Sequence, residues 1–320
     1  CMRMFEQSYS SMKKSVLLFF FLACLIQSRA QLVTKSASAP AMQAFGSSRV
    51  FALLTGDQQF DEWYQAAVQR VWTVSAISFA PATALDSLVV SDKNFFLFAQ
   101  AKDDRSSVMH LLNSDDITKK KEFIVVLSQG GYKQSKLLFT PALTGPKIIG
   151  SFRFSPERAE LTAGMVECEM LIALLNQSVQ IILERNIKTE VKDSVKYVIS
   201  DGLANQIADK TLLINKAYND GSISLEDKPL ISDKVLSDYP YPYELTEKAS
   251  LENQLSGETE SFCYLFFYFP SQYIKVSEDS GDILIYDPAQ KKFLYFEDNM
   301  DGPWFEKWKM KDMVYAIRAK

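Results

Sequence analysis

The fold class is decided by residues 49–57, Arg-Val-Phe-Ala-Leu-Leu-Thr-Gly-Asp, which begin as an apolar run and end in a turn. The run over 49–55 predicts a buried β-strand, and Gly56 marks the point where this strand ends. Asp57 is a preferred residue for capping the helix that follows. Apolar residues recur at helical spacing from Phe60 to Trp72, so we expect this helix to pack one face against the strand. The pattern is typical of a layered α/β domain.

The same alternation continues through the first half of the chain. Strands are predicted over 74–79, 95–101 and 122–128, and a short helix over 83–90. The apolar runs of the first and third strands indicate that helices cover both faces of the sheet. We therefore predict a first α/β unit over residues 49–150, with the order strand, helix, strand, helix, strand, strand.

The second half of the chain repeats this order. Its predicted strands are 211–215, 241–246, 262–269, 282–286 and 292–296, and its predicted helices are 230–236, 247–255 and an amphipathic closing helix from Trp304 to Ile317. The run from Asn94 to Phe98 is matched by the run from Ser261 to Phe266. An internal duplication explains the match, and the shared physics of buried strands is the alternative. We predict a second unit over residues 210–320, so that the fold is α/β with two similar three-layer βαβαββ units.

A helical linker over residues 151–209 joins the two units in this scheme. The apolar side chains between Met165 and Leu183 lie nearly all round the helix, with polar breaks such as Gln177. These breaks are too frequent for a membrane span. We therefore expect a spine helix from about Pro156 to Arg185 that is buried against both units, with a second helix over 191–207 beside it.

The N-terminal part of the chain has the three parts of a secretory signal peptide. Lys13 and Lys14 precede an apolar stretch over 15–26, and Ala30 completes a small-residue cleavage site before Gln31. The apolar stretch is shorter than the roughly 20 residues that a membrane span needs. We expect cleavage after Ala30, export to the periplasm or outer membrane, and no transmembrane segment in the mature chain.

The alternative for this region is a lipidated cysteine at Cys24. In the favoured interpretation, residues 1–30 are the signal peptide with its upstream residues. Residues 31–48 are rich in small and polar residues, and we expect them to form a flexible lead-in to the first unit.

The charge balance argues against nucleic-acid binding. The chain has 35 Lys and Arg residues against 39 Asp and Glu residues, and removal of residues 1–30 leaves it more acidic. Binding to a phosphate backbone requires a basic patch that replaces counterions, and the sequence has no basic block. A protein partner is the interaction that we expect.

The sequence contains none of the common catalytic or cofactor motifs. Its one histidine, His110, is predicted to lie in a polar loop, which excludes a multi-histidine zinc site. Gly56 and the pair Gly130-Gly131 follow predicted strands but lack the further glycines of a dinucleotide-binding loop. The chain has no Gly-x-Ser-x-Gly, no Cys-x-x-Cys and no phosphate-loop lysine motif. We therefore predict no catalytic residue, no cofactor and no metal ligand.

Aromatic and acidic residues provide the remaining candidates for a site. Tyr239, Tyr241 and Tyr243 form a Tyr-Pro run, which is the candidate partner surface because proline keeps the run out of a central strand. Carboxylate pairs such as Asp57 with Asp61 would serve a hydrolase only if they faced each other across a cleft.

Two cysteines remain once the N-terminal residues are removed. Cys168 and Cys263 each lie among apolar neighbours, so we expect two free, buried thiols. A disulfide between them is the alternative, since export would permit its formation.

Two parts of the chain carry a resemblance to a group of exported proteins. The first is the run Leu53-Leu54-Thr55-Gly56-Asp57 with the residues up to Val74, and the second extends from Lys210 to Tyr241. In both, the chain resembles uncharacterised exported proteins of Bacteroidota-type bacteria, which implies an exported α/β protein but transfers no activity. The strand order also resembles a thioredoxin-type unit or the small α/β domains of periplasmic assembly proteins, in shape only, because Cys-x-x-Cys is missing.

Together these patterns favour a non-enzymatic interaction protein of the periplasm or of the cell surface. A protein that binds a glycan or small molecule is the alternative. A hydrolase that uses carboxylates in a cleft between the halves is a further alternative.

Overall fold

The computed structural model describes residues 39–102, 109–111, 123–131, 147–154, 165–187, 191–222, 224–225, 228–256, 260–268, 282–297 and 307–319. The predicted signal peptide and its cleavage site at Ala30 and Gln31 lie outside the described residues.

The first half of the chain forms one mixed sheet. Its strands are β1 (Arg49–Leu54), β2 (Ala76–Pro81), β3 (Asn94–Lys102), β4 (Met109–Leu111), β5 (Phe123–Gln129) and β6 (Ile148–Phe154). Their order is β2-β1-β3-β5-β6, and the short strand β4 pairs with β3. β1 is parallel to both β2 and β3, whereas β5 is antiparallel to β3 and to β6.

The second half of the chain forms a sheet with the same strand order. Its strands are β7 (Thr211–Asn215), β10 (Tyr243–Thr246), β11 (Phe262–Tyr268), β12 (Asp282–Asp287) and β13 (Lys292–Glu297), and a separate hairpin consists of β8 (Ser224–Leu225) and β9 (Lys228–Pro229). The order is β10-β7-β11-β12-β13. The first three strands are parallel and the last two are antiparallel, as in the first sheet. The prediction of two similar units with one strand order is confirmed, and the narrower thioredoxin likeness stays a prediction.

Helices cover these sheets and connect them. They are α1 (Ala39–Phe45), α2 (Gln58–Val71), α3 (Leu85–Leu88), α4 (Met165–Arg185), α5 (Val191–Leu203), α6 (Asp233–Leu236), α7 (Lys248–Ser256) and α8 (Lys307–Arg318), with short 3₁₀ turns at Ala82–Ala84, Ala204–Asp209 and Lys216–Tyr218.

The first helix after a strand forms as the sequence predicts. Asp57 is the N-cap of α2, and its carboxylate accepts a hydrogen bond of 2.8 Å from the backbone N–H of Phe60. One face of α2 is apolar and lies on the sheet. The hydroxyl of Tyr64 on that face donates a hydrogen bond of 3.0 Å to the carbonyl of Leu97 in β3, so the helix is fixed to the sheet by a polar contact as well as by packing.

One hydrophobic core extends from the first sheet through α4 to the second sheet. Because side chains alternate across a strand, each sheet contributes one face to this shared core and the other face to a separate cluster. The shared core includes Val50, Ala52, Phe95 and Leu97 of the first sheet, Leu171, Leu174 and Leu175 of α4, and Leu213, Tyr264, Phe266 and Leu284 of the second sheet. The prediction that the spine helix is buried against both units is therefore confirmed over Met165–Arg185, and its predicted start at Pro156 lies outside the described residues.

Two consecutive polar residues of α4 connect it to the two units. The side-chain oxygen of Asn176 accepts hydrogen bonds of 2.9 and 3.3 Å from the backbone N–H groups of Thr73 and Val74 in the first unit. The side chain of Gln177 accepts a bond of 2.7 Å from the N–H of Phe293 in β13 and donates one of 2.9 Å to its carbonyl. The polar breaks in the apolar helix are thus the residues that fix its position between the sheets.

A buried carboxylate provides a third connection. Glu169 of α4 forms an ion pair of 3.2 Å with Arg70 of α2, and it accepts a hydrogen bond of 3.2 Å from the hydroxyl of Tyr286 in β12. One side chain of the spine therefore binds both units. None of the described helices, α4 included, is long and apolar enough to cross a membrane.

At the outer edge of the second sheet, side chains bind backbone groups of the last strand among the described residues. β13 is the last strand in the order, and the N–H and carbonyl groups of Phe293 are bound by Gln177. Ser200 of α5 does the same for Phe296, accepting a bond of 3.1 Å and donating one of 2.8 Å. Unpaired strand edges invite aggregation, and these two side chains satisfy the backbone groups of Phe293 and Phe296 at this edge.

The structure differs from the sequence-based predictions in several places. β6 was not predicted, and the expected boundary at residue 150 falls inside it. His110, predicted to lie in a polar loop, is part of β4 and pairs with Ala101 of β3. Residues 39–45 of the expected flexible lead-in form α1, because Met42 and Phe45 bury their side chains in the core. The ring of Phe45 packs edge-on against Phe95 at a centroid distance of 5.2 Å.

Candidate functional site

The loop after β1 lies where α/β folds commonly bind phosphate groups, at the carboxyl end of a central parallel strand. Here a side chain of the protein occupies that position. The carboxylate of Asp61 accepts hydrogen bonds of 2.8 Å from the N–H of Thr55 and of 2.8 Å from the N–H of Gly56. Gly56 has a φ of 90°, a conformation that favours glycine. The Asp57 and Asp61 carboxylates therefore serve the turn and the helix cap.

The corresponding position of the second unit is also used for local structure. β7 ends at Asn215, whose side-chain oxygen accepts a hydrogen bond of 3.0 Å from the N–H of Ala217. Next to it, Lys216 forms an exposed ion pair of 2.7 Å with Glu247. In each sheet, the loop at the carboxyl end of the central parallel strand is thus occupied by contacts within the chain.

Both cysteines are buried and neither forms a disulfide, as the sequence predicts. Burial raises the pKa of the Cys263 thiol to about 12, and a thiol in this state is a weak nucleophile at neutral pH. Within the described ranges, no three His, Cys, Asp or Glu side chains lie close enough to share a metal ion. The acidic pairs Asp103-Asp104 and Asp115-Asp116 lie outside the described residues.

The candidate partner surface at the Tyr-Pro run needs a correction. Tyr239 is buried in the core of the second unit rather than exposed. Its ring lies 5.6 Å from that of Tyr241 and 6.2 Å from that of Tyr243, centroid to centroid. Tyr243, 40% exposed, is the most open of the three tyrosines. The prolines keep the run out of the strand, which begins at Tyr243, but the bend turns Tyr239 inward.

A cleft between the helical linker and the second unit brings together residues that are far apart in the sequence. It has a volume of about 380 Å³ and lies between α5, β13 and α8. Its lining residues are Lys196, Tyr197, Ser200, Asp201, Tyr295, Glu297, Asp312, Tyr315, Ala316 and Ala319. Tyr197 on α5 is 66% exposed and Tyr315 on α8 is 76% exposed, so two large aromatic side chains stand open at one cleft.

The charged groups of the cleft are unevenly balanced. The ammonium of Lys196 lies 2.6 Å from one carboxylate oxygen of Glu297, and the hydroxyl of Tyr295 donates a hydrogen bond of 3.4 Å to the other oxygen. Asp201 and Asp312 are exposed and add two further carboxylates. The lining therefore contains three acidic side chains and one basic side chain.

The pKa of Tyr295, which lines the cleft, is changed by its surroundings. Burial raises the pKa of Tyr295 far above its usual value, and the carboxylates of Glu297 and Asp312 raise it further. Nearby negative charge disfavours the tyrosinate anion. The raised pKa of Tyr295 therefore has two causes, the burial of the phenol and the carboxylates beside it.

Tyr197 and Tyr315 are not among the site residues predicted from the sequence. Each lies on a helix whose buried face is formed by other residues, such as Val195 and Ile199 on α5 and Ile317 on α8. A large aromatic residue that departs from the apolar stripe of an amphipathic helix is the signal that would have found them.

No protein-family model, no curated protein and no solved structure matches this chain.

Proposed function

We propose that this chain is a non-enzymatic interaction protein that binds a protein partner in the cleft between α5, β13 and α8. The observation that carries the proposal is the exposure of Tyr197 and Tyr315 on two helices at one cavity. Tyrosine combines a large apolar area with a polar tip and is enriched where proteins bind each other. Exposed apolar surface that is concentrated at one site, rather than scattered singly, marks an interaction surface.

Rigid placement of the two units supports a binding surface rather than a closing receptor. Asn176 binds the first unit, Gln177 binds the second, and Glu169 binds both. A clamshell receptor needs a hinge that absorbs a change in backbone angles. A helix that is buried between two sheets and bonded to each of them is poorly suited to that role.

A peptide-binding experiment with purified protein tests the proposal. Short synthetic peptides of basic, neutral and acidic composition, and a set of oligosaccharides, are added while the melting temperature is measured. We expect at least one class of peptide to raise the melting temperature by mass action. The double substitution Tyr197→Ala with Tyr315→Ala should abolish this shift, because it removes both aromatic walls.

Tyr243→Ala is the matched control, since Tyr243 is exposed but lies outside the cleft. This variant should retain the peptide-induced shift. The proposal is wrong if no peptide changes the melting temperature, or if both sets of substitutions have the same effect.

A glycan-binding function is the second candidate, and one observation favours it. Exposed tyrosine rings beside carboxylates can stack on a sugar ring and hydrogen-bond its hydroxyl groups. A shift with oligosaccharides that is lost in the double tyrosine variant, without any shift for peptides, would support this function instead.

The protein's place of action is proposed to be outside the cytoplasm. The basic pair Lys13-Lys14, the apolar stretch over 15–26 and the small residue Ala30 support export with cleavage before Gln31. N-terminal sequencing of protein expressed from the full chain is expected to begin at or near Gln31. Recovery of the intact chain from the cytoplasm, or a lipid attached to Cys24, would contradict this proposal.

A further inference from the structure

We propose that the partner enters the cleft with a basic segment, and that an arginine or lysine side chain of this segment binds between Tyr197 and Tyr315 beside Asp201 and Asp312. This inference rests on the proposed function, because it specifies the chemistry of the partner that the same cleft binds.

The distribution of charge within the cleft is the first step. Lys196 and Glu297 neutralise each other at 2.6 Å. In the part of the chain that the structure describes, no ion pair is formed by Asp201 or Asp312. Two exposed carboxylates therefore remain at the cleft after the internal pair has been formed, and a cationic ligand is the one that complements them.

The aromatic walls are the second step. A guanidinium or ammonium group is attracted to the face of a tyrosine ring, and arginine makes such contacts more often than lysine. An exposed contact of this kind contributes about 0.5–1 kcal/mol to binding, and a partly desolvated contact contributes more. Tyr197 and Tyr315 belong to separate helices that line the same cleft, so both rings are available to a basic segment that enters it.

The pKa of Tyr295, which lines the same cleft, agrees with this distribution of charge. Burial raises that pKa, and the nearby carboxylates of Glu297 and Asp312 raise it further. The whole chain also has an excess of acidic over basic residues, which favours the approach of a basic partner. An acidic segment would be repelled by the carboxylates of the cleft and by the negative net charge of the chain. A neutral segment would gain no electrostatic attraction from either.

Fluorescence anisotropy with three labelled peptides tests the inference on the full chain. The peptides share one Gly-Ser framework and differ only in carrying Arg, Gln or Glu at the same positions. We expect the Arg peptide to bind at least about tenfold more tightly than the Gln peptide, and the Glu peptide to bind most weakly. Raising the salt from about 0.1 M to about 1 M shortens the Debye length from about 10 Å to about 3 Å and should remove most of this preference.

Two double variants locate the preference in the cleft. Asp201→Asn with Asp312→Asn should weaken binding of the Arg peptide about tenfold, to a level near that of the Gln peptide, because the two free charges are removed. Asp86→Asn with Glu244→Gln removes two exposed carboxylates elsewhere and should change the affinity by less than about twofold, since distant exposed charges are largely screened. Melting temperatures of both variants are measured to confirm that they fold.

The outcomes separate this inference from the proposed function. If the Gln or Glu peptide binds as tightly as the Arg peptide, and Tyr197→Ala with Tyr315→Ala abolishes binding, the partner site stands and the basic segment is wrong. If Asp86→Asn with Glu244→Gln weakens binding as much as Asp201→Asn with Asp312→Asn, the Arg peptide binds acidic surface residues in general. The inference is then also overturned. If none of the three peptides binds, the proposed function and the inference fail together.

Discussion

Leu174→Asp should leave the protein unfolded under conditions in which the unsubstituted chain is folded. Leu174 lies on α4, is fully buried, and belongs to the core that contains side chains from both sheets. An unpaired charge at such a position costs several kcal/mol, and a typical domain is stable by only about 5–15 kcal/mol. Because α4 packs on both units, the loss should affect the whole chain in one cooperative step.

Two further variants make this result interpretable. Val90→Asp introduces the same charge in place of an apolar residue that is 61% exposed, and it should change stability by less than about 0.5 kcal/mol. Leu174→Ala removes side-chain volume without adding charge and should cost about 2–5 kcal/mol. Circular dichroism and urea titration measure all three. A folded Leu174→Asp variant with an unchanged melting temperature would show that α4 is not part of the core.

The same experiment bears on the rigidity that supports a binding function. Asn176 and Gln177 are within one turn of Leu174 on α4, and each is bonded to a different unit. If α4 is displaced, both connections are lost together. A variant that stays folded would therefore also remove the argument that the two units keep a fixed relation.

The likeness of the two halves could be predicted from sequence because buried strands have a simple signature. β1 and β11 are continuous apolar runs, and the helices between strands have apolar residues at helical spacing. A right-handed crossover then leaves few arrangements, and the two halves form sheets with the same strand order. β6 escaped prediction because Gly150 and Ser151 interrupt its apolar run, and its pairing with β5 supplies stability that the local sequence does not reveal.

Buried polar residues show a different limit. In the sequence, Gln177 is an interruption of an apolar helix, and such interruptions favour exposure when considered alone. In the structure, Gln177 satisfies both backbone groups of Phe293, which is 116 positions away in the chain. A partner this far away cannot be predicted from the local sequence, so the role of Gln177 is evident only from the structure.

The candidate site was the least predictable part for the same reason. The cleft combines α5, β13 and α8, which are separated by long stretches of sequence. The Tyr-Pro run was predicted to be a partner surface because its prolines exclude it from a central strand. In the structure, however, Tyr239 is buried. The local sequence around Tyr197 and Tyr315 shows only that each lies outside the apolar stripe of its helix. Their role in a site depends on two helices that line one cleft.

Stability should fall steeply when the pH rises above about 10, where tyrosine side chains in an unfolded chain ionise. Burial raises the pKa of Tyr64, Tyr239, Tyr286 and Tyr295 above the ordinary value. Nearby acidic groups raise it further for Tyr64, Tyr286 and Tyr295. The folded state therefore keeps protons that the unfolded state has already released. Stability is fully present below about pH 10 and is lost as the pH rises toward the folded pKa values.

The expected slope is about 1.4 kcal/mol per pH unit for each buried tyrosine that titrates only on unfolding. The Cys263 thiol adds to the loss between about pH 8.5 and its folded pKa of about 12. Urea titrations at a series of alkaline pH values give the free energy of unfolding, and the ultraviolet absorbance of tyrosinate reports ionisation directly. The two signals should change together for the buried tyrosines.

Tyr239→Phe is the variant that isolates one of these groups. Among the described residues, the Tyr239 hydroxyl is buried without a hydrogen-bond partner, so its removal should leave stability at neutral pH unchanged or slightly higher. The same change should reduce the alkaline slope by about 1.4 kcal/mol per pH unit, because one proton fewer is released on unfolding. Tyr243→Phe alters an exposed side chain of the same run and serves as the control. Equal alkaline slopes for Tyr239→Phe and the unsubstituted protein would mean that Tyr239 ionises in the folded state and is not held in the core.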